Sequence, residues 1–214
     1  MKGWVDFITA HTEENGLWQS GYQYGDWLGL DKEEGADRSG ATDKYLAANA
    51  YYAASASIVS KAARVLGKED AAEYYGQLRR TVEDAFRREY ITAAGRLVSE
   101  TQTACVLVLQ FGLAGEENRG RILEALVKNI AAHKDHLTTG FMGTPYLCHV
   151  LSENGQHELA GRIFRQEDYP SWLYSVKMGA TTVWERWNSI LPDGSFDESG
   201  MNSLNHYAYG SIEE

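Results

Sequence analysis

The sequence predicts an all-α protein, an α/α toroid of the (α/α)6-barrel type with too few helical hairpins to close the ring. Three observations carry this expectation. Apolar residues recur at helical spacing along most of the chain. The helical segments are of two kinds, apolar nearly all round or apolar along one stripe, and the two kinds alternate. Turns from the first kind to the second are short and the returns are long, as expected of hairpins standing side by side in an inner and an outer ring.

A short helical piece near Trp4–Thr12 comes first. The first long helix follows Thr42, a residue suited to an N-cap, and ends near Gly67, suited to the position after a helix end. Its apolar residues, from Tyr45 and Leu46 through Tyr52 and Val59 to Leu66, go most of the way round, so it is buried on most sides. Glu69–Tyr90 carries one stripe (Ala71, Tyr75, Leu78, Val82, Phe86) and places Arg79, Arg80, Glu83 and Arg87 elsewhere, so one face is wet. Ser99 and Gln102 have the spacing of a capping box ahead of the apolar run Cys105–Leu109. Glu116–Ala132 again shows one stripe, through Ile122, Leu126 and Ile130. Thr144 and Pro145 suit the N-cap and first position of a third buried helix, and Leu159–Phe164 is its short outer partner. Further helical pieces are expected at Trp172–Lys177 and Thr182–Trp187.

Tight turns fall at Gly67-Lys68, Ala114-Gly115 and Asn154-Gly155, and long connections at 91–98, 133–143 and 166–181. The long loops of such a toroid emerge at one end, and function concentrates on long loops carried by a rigid scaffold. Three clear hairpins do not make a ring of six, and Ser211-Ile212-Glu213-Glu214 carries no end signal, so residues 1–214 read as one partial domain. An open ring is expected to leave inner-helix surface bare, as at Val106–Leu109, and such a patch favours homo-oligomers.

Composition sets limits. The chain is 43% hydrophobic and 12% aromatic with 3 Pro, so it is not wholly disordered. A net charge of −10 argues against a nucleic-acid partner. No apolar run approaches the roughly 18 residues of a membrane span, and Asp6 interrupts any signal-peptide core. Cys105 and Cys148 sit in apolar runs and read as reduced core residues.

The richest chemistry lies at Thr182–Asn188, where Trp184 and Trp187 flank Glu185. Aromatic rings stack on the C–H faces of a sugar, and a carboxylate activates water or protonates a leaving oxygen. The competing reading is a surface Glu185 paired with Arg186 and both Trp residues in the core. Asn202, Asn205, His206 and Tyr207 supply donors and acceptors for hydroxyls, or else satisfy loop backbone. In Tyr22–Leu28, Asp26 and Trp27 could pin and stack a ring, or Asp26 could cap a turn. His133 and His136 have only Asp135 nearby to complete a metal site, so no metal and no cofactor is expected. The Gly-rich 138–144 loop lacks the Lys of a phosphate-binding loop, and no Gly-x-Ser-x-Gly elbow occurs.

Thr182-Val183-Trp184-Glu185-Arg186-Trp187, followed by Met201-Asn202-Ser203-Leu204-Asn205-His206-Tyr207-Ala208-Tyr209-Gly210-Ser211, resembles the bacterial α-L-rhamnosidases of glycoside hydrolase family seventy-eight. Tyr24-Gly25-Asp26-Trp27-Leu28, Ala41-Thr42-Asp43-Lys44, Gln102-Thr103, His136–Phe141 and Gln166–Tyr174 look like the same catalytic domain, so the resemblance runs nearly the whole chain in order. It implies an (α/α)6 barrel and inverting hydrolysis of terminal α-L-rhamnosides, with a carbohydrate as the partner. It further implies Glu185 as general base on water, His206 against the sugar and Trp27 as a pocket wall. An inverting site sets its two carboxyl groups about 6.5–9.5 Å apart, leaving room for water. The family's general acid lies in an upstream Arg-Asp-Glu motif, and no Arg-Asp-Glu occurs in this sequence. The family's closing helix after the Asn-His-Tyr segment is also missing. The expectation is a catalytic-domain fragment without its proton donor, inactive by itself. Two alternatives stand beside it: another α/α-barrel glycosidase or lyase, and a non-catalytic helical domain that binds sugar or partners.

Overall fold

A computed structural model describes residues 1–32 and 38–211 of the chain. Ile212, Glu213 and Glu214, part of the end read from the sequence as lacking a stop signal, lie outside the described residues. Eight helices are present among the described residues: α1 (Lys2–Thr9), α2 (Lys44–Val65), α3 (Glu69–Tyr90), α4 (Gln102–Gln110), α5 (Glu116–Ala132), α6 (Thr144–Glu153), α7 (His157–Phe164) and α8 (Trp172–Lys177). The boundaries of α3, α5 and α8 fall where the apolar stripes place them.

Helix starts depart from expectation by a residue or two. Asp43, not Thr42, caps α2, accepting the Leu46 N–H at 2.7 Å. Thr42 is buried instead and shares a hydrogen bond with Thr101 at 2.6 Å, joining the starts of α2 and α4. Thr101 caps α4 through the Ala104 N–H at 3.2 Å, so the expected Ser99/Gln102 capping box does not form. Gln102 turns inward, donating to His136 O at 3.1 Å and accepting from Thr138 N–H at 2.9 Å. Thr144 is the first helical residue of α6 rather than its cap, with Pro145 in the first turn. The turns closing α2–α3 and α6–α7 need a left-handed residue and find it in Gly67 (φ 66°) and Gly155 (φ 77°).

The helices pair as hairpins α2–α3, α4–α5 and α6–α7, and α4 packs between α2 and α6. The inner row is therefore α2, α4, α6 and the outer row α3, α5, α7, an arc of the toroid. One expectation is overturned here. Val106, Leu107 and Val108 are 0% exposed and Leu109 is 3% exposed. They are covered because α4 has neighbours on both sides and α5 behind it, so they offer no surface for self-association. Apolar exposure lies instead at Trp4 and Phe7 on α1 and at Val65 and Leu66 at the end of α2.

Thr182–Trp187 is not helical. Glu185 N–H donates to Ser203 O at 2.9 Å and His206 N–H to Val183 O at 2.8 Å, so the segment runs against 203–206. The β-branched Thr181-Thr182-Val183 run favours extended backbone over helix. Among the described residues no helix is long and apolar enough to cross a membrane.

Candidate active site

Three non-helical stretches meet beside the inner row: the 24–30 loop, the 138–144 loop ahead of α6, and the 183–209 segment. The first two are joined by backbone. Leu30 N–H donates to Thr138 O at 2.8 Å and Phe141 N–H to Trp27 O at 2.9 Å. Their crossing is so close that a Cβ on Gly140 would run into Trp27 O and stand 2.6 Å from Gly29 N. Gly140 is therefore fixed by the approach of two main chains.

Asp26 lies beneath this crossing, 1% exposed. Thr103 Oγ1–H and Gly140 N–H donate to its Oδ2 at 2.6 and 2.7 Å, and Met142 N–H donates to Oδ1 at 2.9 Å. Burial raises its carboxyl to about 6, with the three donors pulling the other way and nearby Asp31 adding to the rise. The sequence placed Asp26 at the sugar. In the structure its carboxylate is closed off from solvent and engaged by protein groups.

Trp27, partly exposed, carries Tyr24 edge-on at 5.8 Å, and Tyr24 in turn meets Tyr22 at 5.0 Å. The 138–144 loop delivers Phe141, whose ring stacks on His206 at 4.9 Å and 26° and meets Tyr209 edge-on at 5.2 Å. Tyr209 stacks on Trp187 at 4.1 Å and 9° and donates to Leu28 O at 3.5 Å. Aromatic rings thus bind all three stretches together.

Glu185 is 9% exposed. Ser203 N–H donates to its Oε2 at 3.2 Å. Among the described residues no protein donor meets Oε1. Arg186 does not pair with Glu185. Its guanidinium reaches Asp197 at 3.2 Å, Gly200 O at 3.3 Å and the Ser199 hydroxyl, pinning the 197–200 turn. The structure therefore replaces the helix-surface Glu185–Arg186 pair with a recessed carboxylate held by one oxygen. On the facing segment His206, whose backbone N–H donates to Val183 O, accepts the Ala208 N–H at its Nδ1 at 3.3 Å. A neutral imidazole accepting at Nδ1 carries its proton on Nε2, so Nε2 is a donor available to a ligand hydroxyl.

Trp184 and Trp187 are 3% and 4% exposed, core residues rather than open stacking faces. With Trp172, Val176, Thr182 and Val183 they line a cleft of about 300 Å³. Asn205 is exposed, its backbone N–H on the Ser203 hydroxyl at 3.4 Å. Asn202 donates to Asp197 O at 2.6 Å and serves the loop. His133 and His136 bond backbone oxygens within their own turn, at Asn129 and Lys134. Among the described residues no three His, Cys, Asp or Glu gather to hold a metal. Residue-by-residue reading gave Thr103, Phe141 and Tyr209 no part in the site; the signal for Phe141 was its place after a glycine in a long loop.

The comparisons bear on the fold and the family. A family model described as bacterial alpha-L-rhamnosidase 6 hairpin glycosidase domain matches residues 1–214. An alpha-L-rhamnosidase of Formosa agariphila is 42% identical over 215 residues, covering 100% of this chain and 23% of its own length. The crystal structure of the Streptomyces avermitilis alpha-L-rhamnosidase complexed with L-rhamnose superposes with a TM-score of 0.87 at 39% identity, over 99% of this chain and 19% of that one. Native rhamnosidase from Aspergillus terreus gives a TM-score of 0.91 at 38% identity, over 99% and 25%. The chain thus spans about a fifth to a quarter of these relatives. Helical hairpins in two rows and a family match over all 214 residues agree: the chain belongs to the bacterial α-L-rhamnosidase six-hairpin glycosidase domain family.

Proposed function

We propose that the protein to which this chain belongs hydrolyses terminal α-L-rhamnosides with inversion, and that Glu185 is its general base. The observation that carries this reading is the Glu185 carboxylate, anchored at Oε2 by Ser203 N–H and, among the described residues, without a protein donor on Oε1. An oriented, unpaired carboxylate oxygen can take a proton from water as that water attacks the anomeric carbon. His206, donating from Nε2, holds a sugar hydroxyl; Trp27 walls the pocket; Asn205 lies at its exposed edge. Trp184 and Trp187 keep the Glu185 segment in place from behind.

The proton donor comes from outside residues 1–214. The family's Arg-Asp-Glu motif does not occur here, and Asp26, the nearest carboxyl in the 24–30 loop, is closed off by its three donors. The chain alone is therefore inactive, since loss of a general acid removes on the order of 10²–10⁴ in rate. The test is hydrolysis of an aryl α-L-rhamnoside by this chain beside a version extended at both ends, with Glu185→Gln in the longer one. Turnover only in the longer chain, abolished by Glu185→Gln with the melting temperature kept, is the expected result. The carboxamide oxygen introduced by Glu185→Gln still accepts from Ser203 N–H, so the fold has no reason to fail. Full activity in the Glu185→Gln enzyme would sink the assignment.

A further inference from the structure

A buried carboxylate that neither faces solvent nor pairs with a cation needs a reason to be there. Among the ion pairs of the described residues Asp26 has none, and it is 1% exposed. Besides the three donors on its side chain, its own carbonyl accepts from Gly29 N–H at 3.0 Å and Gly40 N–H at 2.8 Å. One residue therefore ties four pieces of chain: its own loop, the return at Gly40, the first turn of α4 through Thr103, and the 138–144 loop. The grip on that last loop is specific. Asp26 takes the amides of Gly140 and Met142, and the residue between them is Phe141. Phe141 gives its own N–H to Trp27 O and lays its ring on His206. The two residues set by the grip, Phe141 and Trp27, are thus neighbours of Asp26 in space or in sequence.

We propose that Asp26 is a positioning residue for the sugar pocket: it sets the Phe141 ring, and through that ring the His206 imidazole, without touching the sugar. This rests on the function proposed above for His206. The geometry asks for an acceptor at both oxygens. An Asn at this position turns its NH2 group toward the Gly140 or the Met142 backbone N–H, donor against donor in either rotamer, and the 140–142 turn must move.

Two measurements test the proposal, and their failures are distinguishable. The first does not depend on activity. In the chain as it stands, the His206 imidazole protons, identified by their loss in His206→Ala, feel the ring current of Phe141. In Asp26→Asn their chemical shifts should move toward those of Phe141→Leu, and in the milder Thr103→Val part of the way. Unchanged His206 shifts in both variants would overturn the proposal, and Thr103→Val keeps the test decisive if Asp26→Asn does not fold. The second uses the extended, active protein and an aryl α-L-rhamnoside. Asp26→Asn and Phe141→Leu should each raise KM between about tenfold and about a hundredfold, the cost of small misplacements of binding groups. The double variant should be no worse than the worse single one, because both act through one ring. The alkaline and acid limbs of kcat should keep their positions, since Glu185 is not moved. Additive losses, or a kcat fall with KM unchanged, would overturn positioning through Phe141. No rhamnoside turnover in the unmutated protein would overturn the proposed function and leave the His206 shifts to judge Asp26.

Discussion

At the scale of single residues, polar candidates are legible because chemistry is written in side-chain type. Glu185 between two Trp residues and His206 in an Asn-His-Tyr run read as candidates for a sugar site, the role proposed for them above. Burial is not written that way. Asp26 and Trp27 looked alike as pocket residues, yet one is closed off and the other partly open. Trp184 and Trp187 looked like stacking faces and are core. The closed position of Asp26 has a thermodynamic consequence. Its carboxyl stands at about 6 in the folded chain against an ordinary 3.8, with burial the largest cause. The unfolded chain therefore gives up this proton first as pH rises, and the folded chain holds it longer. Stability from this group is highest below pH about 4, falls between about 4 and about 6, and is flat above. The full change is on the order of 3 kcal/mol. Urea unfolding of the native chain and Asp26→Asn at pH 4, 5, 6 and 7 reads it directly. The stability difference, native minus variant, should shrink as pH rises from 4 to 6. A difference that grows over that interval would mean that the three donors outweigh burial.

At the scale of elements, the amphipathic helices were the most legible part. In α3 and α5 one apolar stripe decides both the helix and its orientation, and the Gly-bearing turns mark the ends. The caps were less legible, because Thr42, Thr101 and Thr144 all qualify by type, and tertiary partners decide among them. Thr42 is drawn to Thr101 and leaves the cap to Asp43; Thr144 is drawn to Thr139. The apolar spacing of Thr182–Trp187 fits a helix, while its β-branched lead and its backbone bonds to the facing segment at 203–206 keep it irregular. The loop crossing at Gly140 was not legible at all, since nothing in the 138–144 composition says which glycine meets another main chain. Two glycines make the contrast measurable. Gly120 lies on α5 with nothing within 4 Å of an added Cβ, so Gly120→Ala should stabilise the chain by about 0.5–1 kcal/mol. Gly140→Ala puts a Cβ into the backbone of the 24–30 loop, at Trp27 O and Gly29 N, and should destabilise by more than about 2 kcal/mol. It should also release the ring contact between Phe141 and His206. Thermal unfolding of both variants checks the sign of each. A neutral Gly140→Ala would show that the 24–30 and 138–144 loops are not held against each other in solution.

At the scale of the molecule, alternation of all-round and one-sided helices foretold the inner and outer rows, because burial on two faces or on one is what separates the rows. The same pattern was silent on how far the arc covers its own inner row, and Val106–Leu109 is covered by α2, α5 and α6 without further hairpins. The arc can thus hold its core and carry Glu185, His206 and Trp27, while the proposed mechanism draws its proton donor from elsewhere in the protein. That division of labour predicts a dependence on the leaving group. The alkoxide of an alkyl rhamnoside leaves as a strong base and needs a proton from the general acid. The fluoride of rhamnosyl fluoride leaves as a weak base and does not. In the proposed mechanism both need Glu185 to activate water, and both need the same sugar contacts. Comparing this chain with a version extended at both ends, the rate defect should therefore be larger for the alkyl rhamnoside, by a factor approaching the roughly 10²–10⁴ of a general acid. Hydrolysis rates of the two substrates by the two proteins give that ratio directly. Equal defects would mean that the added chain binds the sugar but gives no proton, and the acid would then have to be sought among residues 1–214.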